Sequence, residues 1–405
     1  MRRSRIRTSP AAQRCHDAVG TENIETGSSL RLKRGHIMAK ARPRPTGGLD
    51  LINGTMPEWQ RTVEQNPVAD FIDYSLRGVG QVVFMNNPIT GLLILAGMYV
   101  ASLWLGVAGT IGLVVSTATA LLLGFERGAI RAGLYGFNGV LVGAALATFL
   151  LGSWNPIVIL YIVVISAFST VLMAALSKVF LSAWTVPPFT LPFNFATLIF
   201  FFGALNWANV HFVPSIQPRM PTVPAPIAAG FAGSLDTIVN AVLRGIGQLF
   251  FANSIWSGVL IIIGILVASR IAAGFALIGS IVGMLTGIAL GADGTAIYNG
   301  LWGFNSFDAA LAIGGVFFVL SFSSGLFAVA CAIATALFFG AISALFVPWG
   351  LPALTLPFCF GTLTFVLVKG LTGKLIPIPP AEITTPEEHL RLQRERAAVP
   401  PASAA

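Results

Sequence analysis

The chain has 405 residues, 55% of them hydrophobic and 10% charged, against roughly 25% charged in an average soluble domain. Its net charge of +8 comes mostly from two polar tails, so neither a water-soluble fold nor a nucleic-acid partner is expected. Three cysteines, Cys15, Cys331 and Cys359, give neither a disulfide framework nor a metal knuckle, and no cofactor is expected.

Residues 1–66 form a basic tail that includes Arg2, Arg3, Arg5 and Arg7 and holds no apolar run suited to a signal peptide. Its composition predicts a disordered segment on the cytoplasmic side. Apolar stretches then recur from Pro88 to Val368, each of about 18 residues or more and able to cross roughly 30 Å of hydrocarbon. A first half, 67–206, carries spans at about 88–106, 107–124, 137–152, 155–176 and 190–206. A loop at 207–233 with Arg219 as its basic residue is expected outside the cytoplasm. The second half, 234–371, carries spans at about 255–270, 273–291, 303–320, 322–346 and 355–371, and 372–405 is a second cytoplasmic tail.

The halves are copies of one another. Leu76-Arg77-Gly78-Val79-Gly80-Gln81 returns as Leu243-Arg244-Gly245-Ile246-Gly247-Gln248, a displacement of 244 minus 77, or 167. Gly136-Phe137-Asn138 returns as Gly303-Phe304-Asn305 at the same displacement, and Thr190-Leu191-Pro192-Phe193 as Thr355-Leu356-Pro357-Phe358 at 355 minus 190, or 165. An odd number of spans per copy delivers the chain to the opposite side, so the second copy is expected upside down. Arg127, Arg131, Lys178, Arg270, Lys369 and Lys374 then all fall at cytoplasmic ends. Before each set of spans lies a shorter, more polar element, at about 71–87 and 236–254. It is read either as an interfacial amphipathic helix or as a helix entering the bilayer partway, with the duplication pointing to the second. The expected fold is all-α and multi-span, with two inverted halves, each of five transmembrane helices and one re-entrant pore helix, around a central pore.

A pore for an uncharged polar solute replaces its water shell with fixed neutral donors and acceptors, and leaves ions uncompensated. Gln81 and Gln248 supply amide oxygens, and Phe84 and Phe251 are expected three residues on along the same helical face. Phe137 and Phe304 stand at the matched Gly-Phe-Asn sites. Thr190 and Thr355, framed by prolines, are expected where a span breaks at mid-depth.

Val186-Pro187-Pro188-Phe189-Thr190-Leu191-Pro192-Phe193 and Leu351-Pro352-Ala353-Leu354-Thr355-Leu356-Pro357-Phe358 resemble the two copies of the Leu-Pro-x-x-Thr-x-Pro-Phe signature of the urea transporter family, the first departing at Val186. The Arg-Gly-x-x-Gln segments and Leu301-Trp302-Gly303-Phe304-Asn305-Ser306 also resemble that family, over about residues 67–371. The resemblance implies a homotrimer with one pore per protomer passing urea without coupling; a bacterial inner membrane is the expected location, with both termini cytoplasmic by the distribution of basic residues. The resemblance also implies an oxygen ladder at Gln81 and Gln248, phenylalanines at 84, 137, 251 and 304 sandwiching the solute, and threonines at the midpoint. Leu141, Leu249 and Asp308 complete the expected pore residues.

Asp308 departs from the family pattern, since it stands 167 residues after Leu141 where an apolar wall is expected. Two readings stand open: a structural carboxyl facing Asn305 or a neighbouring helix, and a pathway residue that alters selectivity. A proton-coupled secondary transporter using Asp308 is the alternative function. No nucleotide loop or nucleophile and base pair appears, so no enzyme is expected.

Overall fold

The computed structural model describes residues 52–222 and 233–398, and among them every regular element is helical apart from isolated bridges joining Leu150 to Phe212 and Phe318 to Pro377. A short α1 (Pro57–Val63) leads into α2 (Pro67–Gln81), α3 (Pro88–Ala101), α4 (Leu103–Leu122), α5 (Arg127–Arg131), α6 (Gly136–Phe149), α7 (Pro156–Trp184) and α8 (Leu191–Ala204). The same succession returns as α9 (Leu235–Gln248), α10 (Ile255–Ala268), α11 (Arg270–Ala289), α12 (Gly294–Tyr298), α13 (Phe304–Leu311), α14 (Phe322–Phe346) and α15 (Leu356–Val366), before a final α16 (Pro386–Ala398).

Local chemistry sets these boundaries. Asn66 and Asn87 accept from the first free amides of α2 and α3, each ahead of a proline at the first helical position, where a missing N–H costs nothing. Ser102 and Ser269 cap α4 and α11 at matched positions. Four helices, α4, α7, α11 and α14, are long and apolar enough to cross a membrane. The expected ten full spans are therefore not all present as single long helices. α3, for example, has 14 residues, about 21 Å of rise, because Asn-Pro punctuation starts it and Ser102 stops it. The span expected at 303–320 breaks early: α13 has eight residues, then passes into a π-helical turn at Ala312–Val316 that contains Gly314 and Gly315. Conversely α7 runs on to Trp184, past the expected end near 176, since no Gly or Pro interrupts it.

The long helices are apolar outside and small or polar inside. On α7, Ile157, Leu160, Val164, Phe168 and Val171 are exposed while Ser166, Ser169 and Thr170 are buried, the pattern of a helix whose outer face meets lipid. Thr170 donates to the Ser116 carbonyl of α4 at 3.1 Å.

The two halves meet through α3 and α10, which pack antiparallel with reciprocal hydrogen bonds. Thr90 Oγ1 donates to the Gly264 carbonyl at 2.6 Å, and Ser257 Oγ donates to the Gly97 carbonyl at 2.7 Å. Residues 90 and 257, and 97 and 264, are each 167 apart, so each contact is the copy of the other, as in an isologous interface.

Of the tail expected to be disordered over 1–66, residues 1–51 lie outside the described residues, while 52–66 are ordered and include α1. Ile52 and Gly54 give carbonyls to Asn87 Nδ2, at 2.9 and 2.8 Å, and Gly54 donates to the Ala268 carbonyl. Thr55 gives its carbonyl to Arg77, and Trp59 Nε1 donates to Asp73. The downstream polar groups draw this polar segment into place. The second tail is likewise built: Glu387 accepts from Ser269 Oγ and the Ile271 amide at the start of α11, and His389 Nδ1 meets the Gly315 carbonyl at 2.8 Å.

Candidate functional site

α2 and α9 each end in a tight reversal that presents a glutamine and a phenylalanine. The Met85 amide returns to the Gly80 carbonyl at 2.9 Å and the Ala252 amide to the Gly247 carbonyl at 3.1 Å, the six-to-one closure of a helix C-terminus. Glycine is required at the start of each closure, because a Cβ on Gly80 or Gly247 would sit 2.3 Å from the carbonyl oxygen of Met85 or Ala252. Phe84 and Phe251 therefore do not extend the helical face of the glutamines, as helical spacing suggests. They occupy left-handed backbone at φ 61° and 58°, a conformation bulky residues rarely hold unless surrounding structure imposes it.

Gln81 Nε2 donates to the Ala132 carbonyl at 2.7 Å, and Gln248 Nε2 to the Asn299 carbonyl at 2.9 Å. The sequence offsets, 132 minus 81 and 299 minus 248, are both 51. A carbonyl can only accept, so one N–H of each amide is engaged and the side chain is oriented with its Oε1 remaining as an acceptor.

The aromatic rings cross between halves. Phe84 lies 6.1 Å from Phe358 of the second half, and Phe251 lies 6.3 Å from Phe193 of the first, the copy of Phe358. Phe84 also meets Phe317 and Phe189, and Phe251 meets Phe149. Phe137 and Phe304 are buried, and Phe304 packs on Phe339. Helical pattern alone gives no signal for Phe149, Phe189, Phe193, Phe317 and Phe358 among 30 phenylalanines.

Thr190 and Thr355 come together directly, their hydroxyls 2.7 Å apart. Each begins its helix immediately after a residue in left-handed backbone, Phe189 at φ 53° and Leu354 at φ 51°. Asn194 ties the pair, donating through Nδ2 to the Thr190 carbonyl and Thr355 Oγ1 and accepting from the Thr355 amide. Cys359, the counterpart of Asn194, contacts Thr190 Oγ1 at 3.2 Å. Asn138 and Asn305, of the repeated Gly-Phe-Asn motifs, each accept 3.1 Å bonds from the Phe193 and Phe358 amides. These asparagines fasten the first turns of α8 and α15 to α6 and α13, a role readable from their repetition.

Leu141 and Leu249 are fully buried apolar residues, and Asp308 is 0% exposed, with neither carboxylate oxygen hydrogen-bonded among the described residues. Asn305 instead directs its amide to Leu354 and Phe358, so it does not satisfy the carboxyl. Among the described residues no cluster suited to a metal ion occurs.

The two glutamines differ in their surroundings. Arg77, one turn before Gln81, is fully buried and paired with Asp73 at 2.6 Å. Its copy Arg244 is held by the amide oxygens of Asn240 and Asn253 and lies 5.1 Å from the Tyr298 ring centre.

Comparison with known proteins matches residues 72–370 to the family described as urea transporter. The chain is 38% identical over 343 residues to urea transporter 1 of Rattus norvegicus, covering 84% of this chain and 88% of that protein. It is 37% identical over 367 residues to urea transporter 1 of Ovis aries, covering 89% and 94%. Urea transporter 1 of Mus musculus is similar at 38% over 343 residues.

Proposed function

The chain belongs to the urea transporter family, and on that premise we propose that it passes urea, or a close small neutral amide, across a membrane as an uncoupled channel. One observation carries the reading: two glutamines at equivalent positions have their amide nitrogens tied to backbone carbonyls, leaving acceptor oxygens for the N–H groups of a solute. Urea offers four such N–H groups and a flat face that fits between phenyl rings, whereas a bare ion finds no compensating charge.

The architecture we infer is a single conduit between two inverted halves, 67–206 and 234–371, each with five membrane-crossing segments and one re-entrant helix, α2 or α9. The antiparallel reciprocity of α3 and α10 supports inversion, since a two-fold axis relating antiparallel neighbours runs perpendicular to them and so within the membrane plane. Gln81, Phe84, Phe137, Leu141 and Thr190 of the first half, and Gln248, Leu249, Phe251, Phe304 and Thr355 of the second, line this path, with the threonine pair at its centre. Homotrimeric assembly in a bacterial inner membrane, both termini cytoplasmic, completes the proposal.

The test is urea flux into proteoliposomes by stopped-flow light scattering. The proposal requires equilibration far above empty vesicles, no uphill accumulation and no effect of a protonophore. Uphill accumulation that collapses with the proton gradient would replace it with the coupled mechanism.

A further inference from the structure

We propose that Asp308 is a specificity-determining residue, a neutral carboxylic acid that pairs edge to edge with the O=C–N–H edge of an amide in transit. This rests on the reading that the conduit passes the face of α13 that carries it.

Asp308 shares that face with Phe304 and Asn305, four and three residues earlier. Asn305 reaches from it to the Leu354 carbonyl and the Phe358 amide, on either side of Thr355. The carboxyl therefore lies about one helical turn from a side chain that clasps the backbone on either side of Thr355. In the other half the same position is Leu141, also fully buried, so packing alone is met by a hydrocarbon side chain there.

Among the described residues neither oxygen of Asp308 has a hydrogen-bond partner and no salt bridge includes it. An ionised carboxylate in that setting would carry its full desolvation cost without a donor or cation to offset it. The neutral acid avoids the charge and presents an O–H donor beside a carbonyl acceptor. That pair is the complement of an amide edge, on which a carbonyl oxygen lies beside an N–H. Two hydrogen bonds close one ring, and both orphaned oxygens are used. Gln81 and Gln248 each spend one amide N–H on a backbone carbonyl and keep Oε1 as an acceptor; Asp308 adds a donor beside an acceptor for the solute's carbonyl edge, which makes the path discriminate against planar solutes that lack one.

The experiment compares urea with thiourea, which has the same planar outline and N–H groups but a sulfur that accepts hydrogen bonds poorly. Flux of both is measured in proteoliposomes of the parent, Asp308→Asn and Asp308→Leu, the last copying Leu141; Asp308→Ala gives the same comparison should leucine fail to pack. The carboxamide of asparagine also offers a donor beside an acceptor, so Asp308→Asn is expected to keep the parent's urea preference within about twofold. Asp308→Leu is expected to lose about tenfold of it, as when a buried polar pairing is removed. An unchanged preference in Asp308→Leu, with urea flux intact, would overturn this inference and leave the channel standing. Loss in Asp308→Asn equal to that in Asp308→Leu would overturn it equally. Absence of urea flux in the parent would remove the channel reading itself.

Discussion

Thr190 and Thr355, 165 residues apart in sequence, share a hydrogen bond of 2.7 Å at the junction of the two halves. Each hydroxyl also has a second polar neighbour, Cys359 for one and Asn194 for the other. Thr190→Val removes one member and leaves the others short of a partner in a buried place, at a cost of about 1–3 kcal/mol. Thermal unfolding in detergent is expected to show that loss, and urea flux to fall in parallel. Unchanged stability would mean that the pair is not closed in the membrane.

Gly80 and Gly247 permit the reversals that set Phe84 and Phe251. Gly80→Ala drives a methyl against the Met85 carbonyl, a backbone clash that belongs among the severe single substitutions of about 4 kcal/mol or more. The expected result is a poorly folded protein, and Gly247→Ala should behave alike. Normal unfolding temperatures in both variants would contradict the turn geometry.

The arginines one turn before the glutamines should respond unequally. Asp73→Asn leaves Arg77 charged, buried and unpaired, which costs about 3–5 kcal/mol. Asn240→Ala removes a neutral acceptor from Arg244 and is expected to cost about 1 kcal/mol. Equal destabilisation, read by thermal melts, would show that the ion pair of the first half carries no special weight.

The C-terminal arm should undock in acid. Burial is the main influence on His389 and holds its imidazole below its ordinary value, outweighing the Gly315 and Glu382 backbone and the nearby carboxylates of Glu388 and Glu382. Its Nε2 accepts from the Thr384 amide at 2.8 Å, so protonation places a donor against a donor. Because the folded value is depressed, docking is complete above the unfolded value of about 6.5 and weakens as pH falls below it. Limited proteolysis at residues 376–398 should accelerate as pH falls from about 7.5 to about 5.5, about one unit either side of that value, and His389→Asn should flatten the change. Constant protection across that range would contradict it.

Much of this was legible in the sequence because duplication labels residues twice. Gln81 with Gln248, Thr190 with Thr355 and the Gly-Phe-Asn pairs announce themselves by equal spacing, and the structure gives each pair matching or mutual contacts. The π-turn after α13 was not legible, since an apolar run with two glycines reads as a continuing span. Nor were the rings around Phe84 and Phe251, which converge through packing between halves rather than along one helix. Asn194 and Cys359 could have been found, since each follows its threonine by four residues, one helical turn. The tail boundary was misplaced because polar residues 52–66 are held by downstream Asn87, Arg77 and Asp73, a long-range effect with no local signature.

The sharpest measurement is urea flux through Gln81→Leu, Gln248→Leu and the double variant at equal protein density in proteoliposomes. If both glutamines line one path in series, each single variant loses most of the flux and the double variant is scarcely worse. If each single variant kept about half of the flux and only the double variant lost it, the halves would be conducting separately, and a conduit shared between them would be wrong.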